Sequence, residues 1–191
     1  HDFVNVDDIE DISLFRSSAG HDASDSFEEC RSMKHYFSPP EAKRTNNTVP
    51  IYSPVSGIIG GLQTEERNFD DDGITNQLIS IIPNNYNEYL VDLYHVDLVS
   101  SDLTVGTSVT SGQHLGYGRL IRNGSSEASH DFDIAVYRNN STGLRNISYI
   151  EVLPDSIFEN YISWSGNTST SRDDFIISKE QRDTDPNTCE G

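Results

Sequence analysis

Two histidine–carboxylate groupings in this sequence have types and spacing suited to chemistry. His21 and Asp25 form H-x-x-x-D within AGHDASD. A neutral imidazole and a carboxylate brought together by a turn can hold a divalent ion from one side. The same spacing also suits a solvated loop in which Asp25 caps a helix. The second grouping is His130-Asp131-Phe132-Asp133. Side chains alternate along a strand, so Asp131 and Asp133 share a face and His130 points away. Asp133 precedes Ile-Ala-Val, which predicts a carboxylate inside the sheet, where it needs a cation or several N–H donors. His95, in Leu93-Tyr94-His95-Val96, reads as a satisfied strand residue. If a metal sat opposite, it would read as a proton shuttle.

Positioning these groups falls mainly to short strands. Val49–Tyr52, Ile58–Leu62, Leu78–Ile82, Tyr89–Leu98 and Asp131–Tyr137 are rich in branched and aromatic residues and are separated by Gly, Asn and Asp. Such text predicts an antiparallel all-β core. The Asn68–Gly73 stretch (NFDDDG) is an acidic turn. A short helix is expected over residues 25–36, ended before Pro39-Pro40. A second, amphipathic helix is expected over 154–163, with Ile157, Phe158, Tyr161 and Ile162 on one face. Residues 1–19 read as an acidic N-terminal arm, 20–153 as the β domain, and 154–191 as a C-terminal helix and tail. From Ser178 onward the polar tail would fray unless tied down.

The order of the pieces carries a family resemblance. H-x-x-x-D is followed by Ser53-Pro54-Val55-x-Gly57-x-Ile59, then by Tyr94-His95-Val96-x-Leu98. Next comes a stretch defined by Leu103, Gly106, Val109, Gly112, Gln113, Leu115 and Gly116. The DFDIAV strand closes the series. Over residues 20–137 this resembles the lysostaphin-type zinc endopeptidases, which share the duplicated-hybrid-motif β fold. The Leu103–Gly116 stretch is the most specific part. The resemblance implies an antiparallel sheet with short flanking helices. It makes His21 and Asp25 the first two metal ligands and His95 the assisting histidine.

At the last strand the sequence departs from the family. The final H-x-H is replaced by D-x-D: Asp133 stands where the third ligand, a histidine, should be, and Asp131 stands for the base. One histidine with two carboxylates suits zinc less well and calcium or manganese better. More carboxylates also leave less Lewis acidity for a bound water. The resemblance therefore implies a module with a degenerate metal site that binds or builds. Its alternative is an active metal-dependent endopeptidase that cuts peptidoglycan-type or Gly-rich peptides. The segments FRSSAGHDASD, CRSMKHYF and SRDDFIISKEQRD look like a secreted branch of the family that keeps the DIAV strand.

Composition limits the partners. The chain has 191 residues, with 13 Lys+Arg against 31 Asp+Glu, a net charge of −18. That charge repels nucleic-acid backbones and anionic membrane surfaces. No apolar run is long enough to insert as a membrane helix. No secretory h-region is present, so export would make His1 a mature end. N-x-[ST] acceptors at Asn46, Asn123, Asn139, Asn140, Asn146 and Asn167 predict N-linked glycans and an extracellular protein. Crowding should keep neighbours Asn139 and Asn140 from both carrying one. Cys30 and Cys189 are the two cysteines. Outside the cell they are expected to pair, closing nearly the whole chain into a loop, for about 4–5 kcal/mol in the chain-entropy model. Partnership with copies of itself, as a homo-oligomer or filament, is a further expectation.

Overall fold

The computed structural model describes residues 1–45, 47–65, 77–120, 131–164 and 168–184. The NFDDDG turn, His130, Cys189, Asn46, Asn123 and Asn167 lie outside them. Among the described residues the strands are β1 (Asp11–Ile12), β2 (His35–Ser38), β3 (Pro50–Tyr52), β4 (Gly57–Thr64), β5 (Gln77–Pro83), β6 (Tyr89–Leu98), β7 (Ser108–Val109), β8 (His114–Gly118), β9 (Phe132–Asn140) and β10 (Gly143–Ile147). The helices are α1 (Tyr149–Val152), α2 (Asp155–Ser163) and α3 (Lys179–Thr184). The sheet runs β1-β2-β9-β6-β5-β4-β7, with β10 also on β9, and β8 joining β6 to β3. Every strand pair is antiparallel. The fold is mainly β, as the strand text predicts.

Period-two alternation builds the core. Ile79 and Ile81 on β5, Val91 and Leu93 on β6, and Phe132, Ile134 and Val136 on β9 are all buried in one cluster. The glycines of the Leu103–Gly116 stretch have separate tasks. Gly112 turns the chain at φ +82°, which side chains resist. A Cβ at Gly116 would fall 2.2 Å from the Asp97 carbonyl oxygen of the paired strand.

Two local expectations give way to other structure. Residues 25–36 do not form a helix. Asp25 Oδ1 accepts from Phe27 N and Glu28 N, as a helix cap would. The chain then reverses at Cys30, which is left-handed at φ +57°. It continues through bridges at Ser32 into β2. The first fifteen residues, whose apolar positions look sparse, send Phe3, Val4, Val6, Ile9, Ile12 and Phe15 into the buried interior. Their anchor is buried Asp2, whose Oδ1 accepts from Phe3 N at 2.8 Å, Tyr149 Oη at 2.8 Å and Tyr161 Oη at 3.0 Å. Helix α2 matches its expected span and buries Tyr161 fully, while Ile162 stays exposed. Helix α3 docks through Arg182 Nε to the Arg16 carbonyl and through Asp183 to Arg31. Among the described residues no helix is long and apolar enough to cross a membrane.

Candidate functional site

Asp133 lies at the centre of the site. On β9, Phe132 and Ile134 face the core, so Asp133 faces the other side of the sheet, and it too is wholly buried. β2 pairs with β9 at Tyr36↔Asp133. On the chain leading into and along β2, Met33, His35 and Phe37 point into the core, and Lys34 and Tyr36 alternate onto the Asp133 side. Lys34 therefore reaches Asp133, with Nζ 2.5 Å from Oδ2. The ammonium also lies 4.9 Å from the centre of the Tyr36 ring and 4.4 Å from that of Tyr94. Tyr94 Oη meets Tyr137 Oη at 3.0 Å along the same face.

His95 arrives by a bulge. On β6, Val91 and Leu93 are core residues, so strict alternation would send His95 into the core as well. Between Leu93↔Ile79 and Val96↔Gln77 strand β6 carries one extra residue, and His95 takes φ +58°. The bulge sends Val96 to the core and swings the imidazole to the polar face. Glu65, just past β4, clamps it. Its Oε2 accepts from the His95 backbone N–H at 2.9 Å and faces Nδ1 at 3.1 Å. His95 Nε2 lies 3.4 Å from Asp133 Oδ1. Both ring nitrogens thus face carboxylates, the arrangement of an imidazolium. Burial works to lower the His95 pKa, but the Glu65 hydrogen bond and the Asp133 charge outweigh it and raise the value.

His21, on an exposed turn, completes the group. Its Nδ1 lies 2.8 Å from the Asp22 carbonyl oxygen, which fixes the proton there. Nε2 is left as an acceptor 3.2 Å from Lys34 Nζ. Burial opposes the charge on Lys34, and the neighbouring Asp133 carboxylate more than offsets it, raising the lysine pKa. Burial pushes the Asp133 carboxyl up, against the pull of the Lys34 and His95 cations.

Of the five residues expected to converge, His21, His95 and Asp133 do meet, with half-buried Asp131 near enough for its charge to act on Asp133. Asp25 is committed elsewhere. Its Oδ2 accepts from Arg145 Nε at 2.8 Å and Asn146 N at 3.1 Å, and its Oδ1 holds its own turn. The residues present do not fit a metal ion. Ligands would stand about 2 Å from it, and the point between His21 and Asp133 belongs to a lysine ammonium. Among the described residues no three His, Cys, Asp or Glu side chains form a metal-holding group.

Lys34, Glu65 and Arg145 are the residues that the sequence reading missed. Lys34 had a signal, its alternation between Met33 and His35 ahead of a strand. The bulge that recruits Glu65 left none. Asn146 corrects another expectation. It is buried, with Nδ2 donating to the Ala23 and Met33 carbonyls at 3.3 and 3.4 Å, so the folded chain has no room for a glycan there. Asn139 and Asn140 are exposed at the β9–β10 hairpin.

No protein-family model and no curated protein matches the sequence. Among solved structures, the chain is similar to Helicobacter pylori Csd3 at 16% identity and TM-score 0.47, covering 79% of this chain and 37% of that one. It is also similar to a putative glycyl-glycine endopeptidase lytM from Ruminococcus gnavus, at 15% identity and TM-score 0.45, covering 68% and 47%. A third likeness is to lysostaphin, at 14% identity and TM-score 0.45, covering 82% and 54%. At these identities the likeness concerns the fold. The chain spans roughly a third to a half of these three proteins.

Proposed function

We propose that this chain is a secreted, N-glycosylated module of the lysostaphin-type fold whose hydrolytic site is degenerate, so that it binds or builds rather than cuts. The observation that carries this reading is the lysine between His21 and Asp133. A hydrolase of this kind needs a Lewis acid with an open position to activate water. Here the equivalent point is filled by an ammonium, which has no vacant orbital to polarise a carbonyl. Asp25, the second ligand implied by the resemblance, is tied to Arg145. Both His95 nitrogens face carboxylates, at 3.1 and 3.4 Å, and these raise its pKa, which favours a proton on each nitrogen and opposes action as a base.

Secretion enters the reading through the sequons and cysteines. Asn139 and Asn140 offer accessible acceptors. A Cys30–Cys189 disulfide is supported by Cys30 not being a free thiol. The docking of α3 also supports it, since it places Asp183 against Arg31, the residue after Cys30. Self-assembly outside the cell is part of the proposal. Ile58 and Ile82, both exposed and paired across β4 and β5, give it an apolar contact.

The test is metal content and turnover of the purified native protein. The reading expects no stoichiometric zinc and no cleavage of pentaglycine or peptidoglycan with zinc, calcium or manganese added. Metal-dependent cleavage that disappears on replacing His21 would overturn it.

A further inference from the structure

We propose that the Asp133 pocket is an ammonium-binding cage, filled in cis by the chain's own Lys34. The inference rests on the non-catalytic reading of the site and names its ligand class. Four groups face the Lys34 nitrogen, and each suits a primary ammonium. Asp133 Oδ2 supplies the counter-charge at 2.5 Å. The rings of Tyr36 and Tyr94 present π faces at 4.9 and 4.4 Å, within the range of cation–π attraction. His21 Nε2, its partner nitrogen protonated toward Asp22, supplies a lone pair at 3.2 Å.

The cage is also polarised toward a cation. Asp133 is wholly buried, and among the described residues neither of its oxygens accepts a hydrogen bond of good geometry. Its charge is thus answered chiefly by the Lys34 ammonium and the His95 ring, with no neutral donor beside them among the described residues. His95 lies beyond Oδ1 at 3.4 Å and leaves the Oδ2 side to Lys34. In bringing together the His21 turn, β2, β6 and β9, the ammonium takes the cross-linking place of a structural metal, by charge and ring contacts instead of coordination.

Truncating the lysine empties the cage without touching its walls. The Lys34→Ala protein is heated alone, then with ethylammonium chloride, with ethanol at the same concentration, and with zinc chloride. Ethylammonium restores the charge and two of the three carbons that the truncation removed. It should raise the melting temperature of this variant by about 3–6 °C at roughly ten times its Kd. It should leave the wild-type protein unchanged. Equal rescue by ethanol would show a mere apolar cavity, and no rescue would show no cage; either result overturns the proposal. Rescue by zinc but not by ethylammonium would overturn it in favour of a metal site.

If Lys34→Ala does not fold, Lys34→Met keeps the stem and removes the charge. It should melt below wild type, and Lys34→Met with Asp133→Leu should recover most of the loss. A single Lys34→Met variant as stable as wild type would overturn the proposal. Hydrolysis by the wild-type protein would sink the functional reading separately, since none of these melting measurements depends on turnover.

Discussion

Glu28 and Asp133 are both carboxylates buried against cations, and their two regions do it differently. Around Glu28, the Arg16 guanidinium donates at 2.7 and 3.0 Å, Arg31 at 2.8 Å and Arg145 at 3.2 Å. Asp25 beside it takes four more donors. Burial pushes both carboxyls up, but the arginine hydrogen bonds and charges win and lower them. Around Asp133 the partners are an ammonium and the His95 ring, whose pKa is raised, and neither oxygen accepts a well-aligned hydrogen bond from the described residues. Planar guanidinium forks satisfy lone pairs in fixed directions; a lysine is a point charge. The first region is closed structural glue. The second is a charge pocket that depends on one cation.

The largest effect should come from breaking the second region. Asp133→Ala leaves the Lys34 ammonium buried without its counter-charge and should cost about 3–5 kcal/mol in urea unfolding. An effect under about 1 kcal/mol would mean that the pair is not a buried ion pair. The next prediction contrasts Lys34 with its neighbour on the opposite face. His35 is fully buried, with Nδ1 2.8 Å from the Ser13 carbonyl and Nε2 2.7 Å from Ser148 Oγ. Burial, with no carboxylate partner, lowers its pKa to about 4. The unfolded chain then binds a proton that the folded one refuses. Stability is full above about pH 6.5 and falls as pH drops toward 4, by roughly 3 kcal/mol. His35→Gln should flatten that part of the profile, measured by denaturant midpoint against pH.

Smaller effects separate the glue from the pocket. Glu28→Gln keeps the shape but weakens four charge-assisted hydrogen bonds from three arginines. It should cost about 1.5–3 kcal/mol. Because the Glu28 pKa is lowered on folding, that contribution is present above its ordinary value near 4.5 and is lost as pH falls through the folded one. Replacing His95 by Gln should cost less, about 1 kcal/mol, as the partly exposed pair with Glu65 is screened in part by solvent. The His95 contribution should be present below about pH 6.5 and vanish as pH rises through its raised folded value. A His95 resonance that titrates at or below 6.5 would break this account of the bulge.

Much of this was legible in the residues. Strands β5, β6 and β9 follow their alternation. The DFDIAV text places Asp133 inside the sheet and in need of a cation or several N–H donors. The glycines of Leu103–Gly116 match a turn and a close approach. What could not be read was which cation would come. Lys34 lies in a segment where a capping aspartate and acidic first turn resemble a helix start, and the left-handed Cys30 that cancels the helix has no compositional sign. The resemblance makes Asp25 a ligand because its competitor, Arg145, is 120 residues away and adjacent only in the fold. His95 reaches the polar face through a bulge that strict alternation forbids. The N-terminal residues look like an arm because their core contacts are all long-range.

A lysine, not a metal, stands between His21 and Asp133. Crystals of the native protein grown with zinc chloride, measured above and below the zinc absorption edge, test it most directly. The expected result is continuous side-chain density placing Lys34 Nζ against Asp133 and His21, with no anomalous peak between them. An anomalous peak within about 2.2 Å of His21 Nε2 and an Asp133 oxygen, with Lys34 turned away, would contradict it.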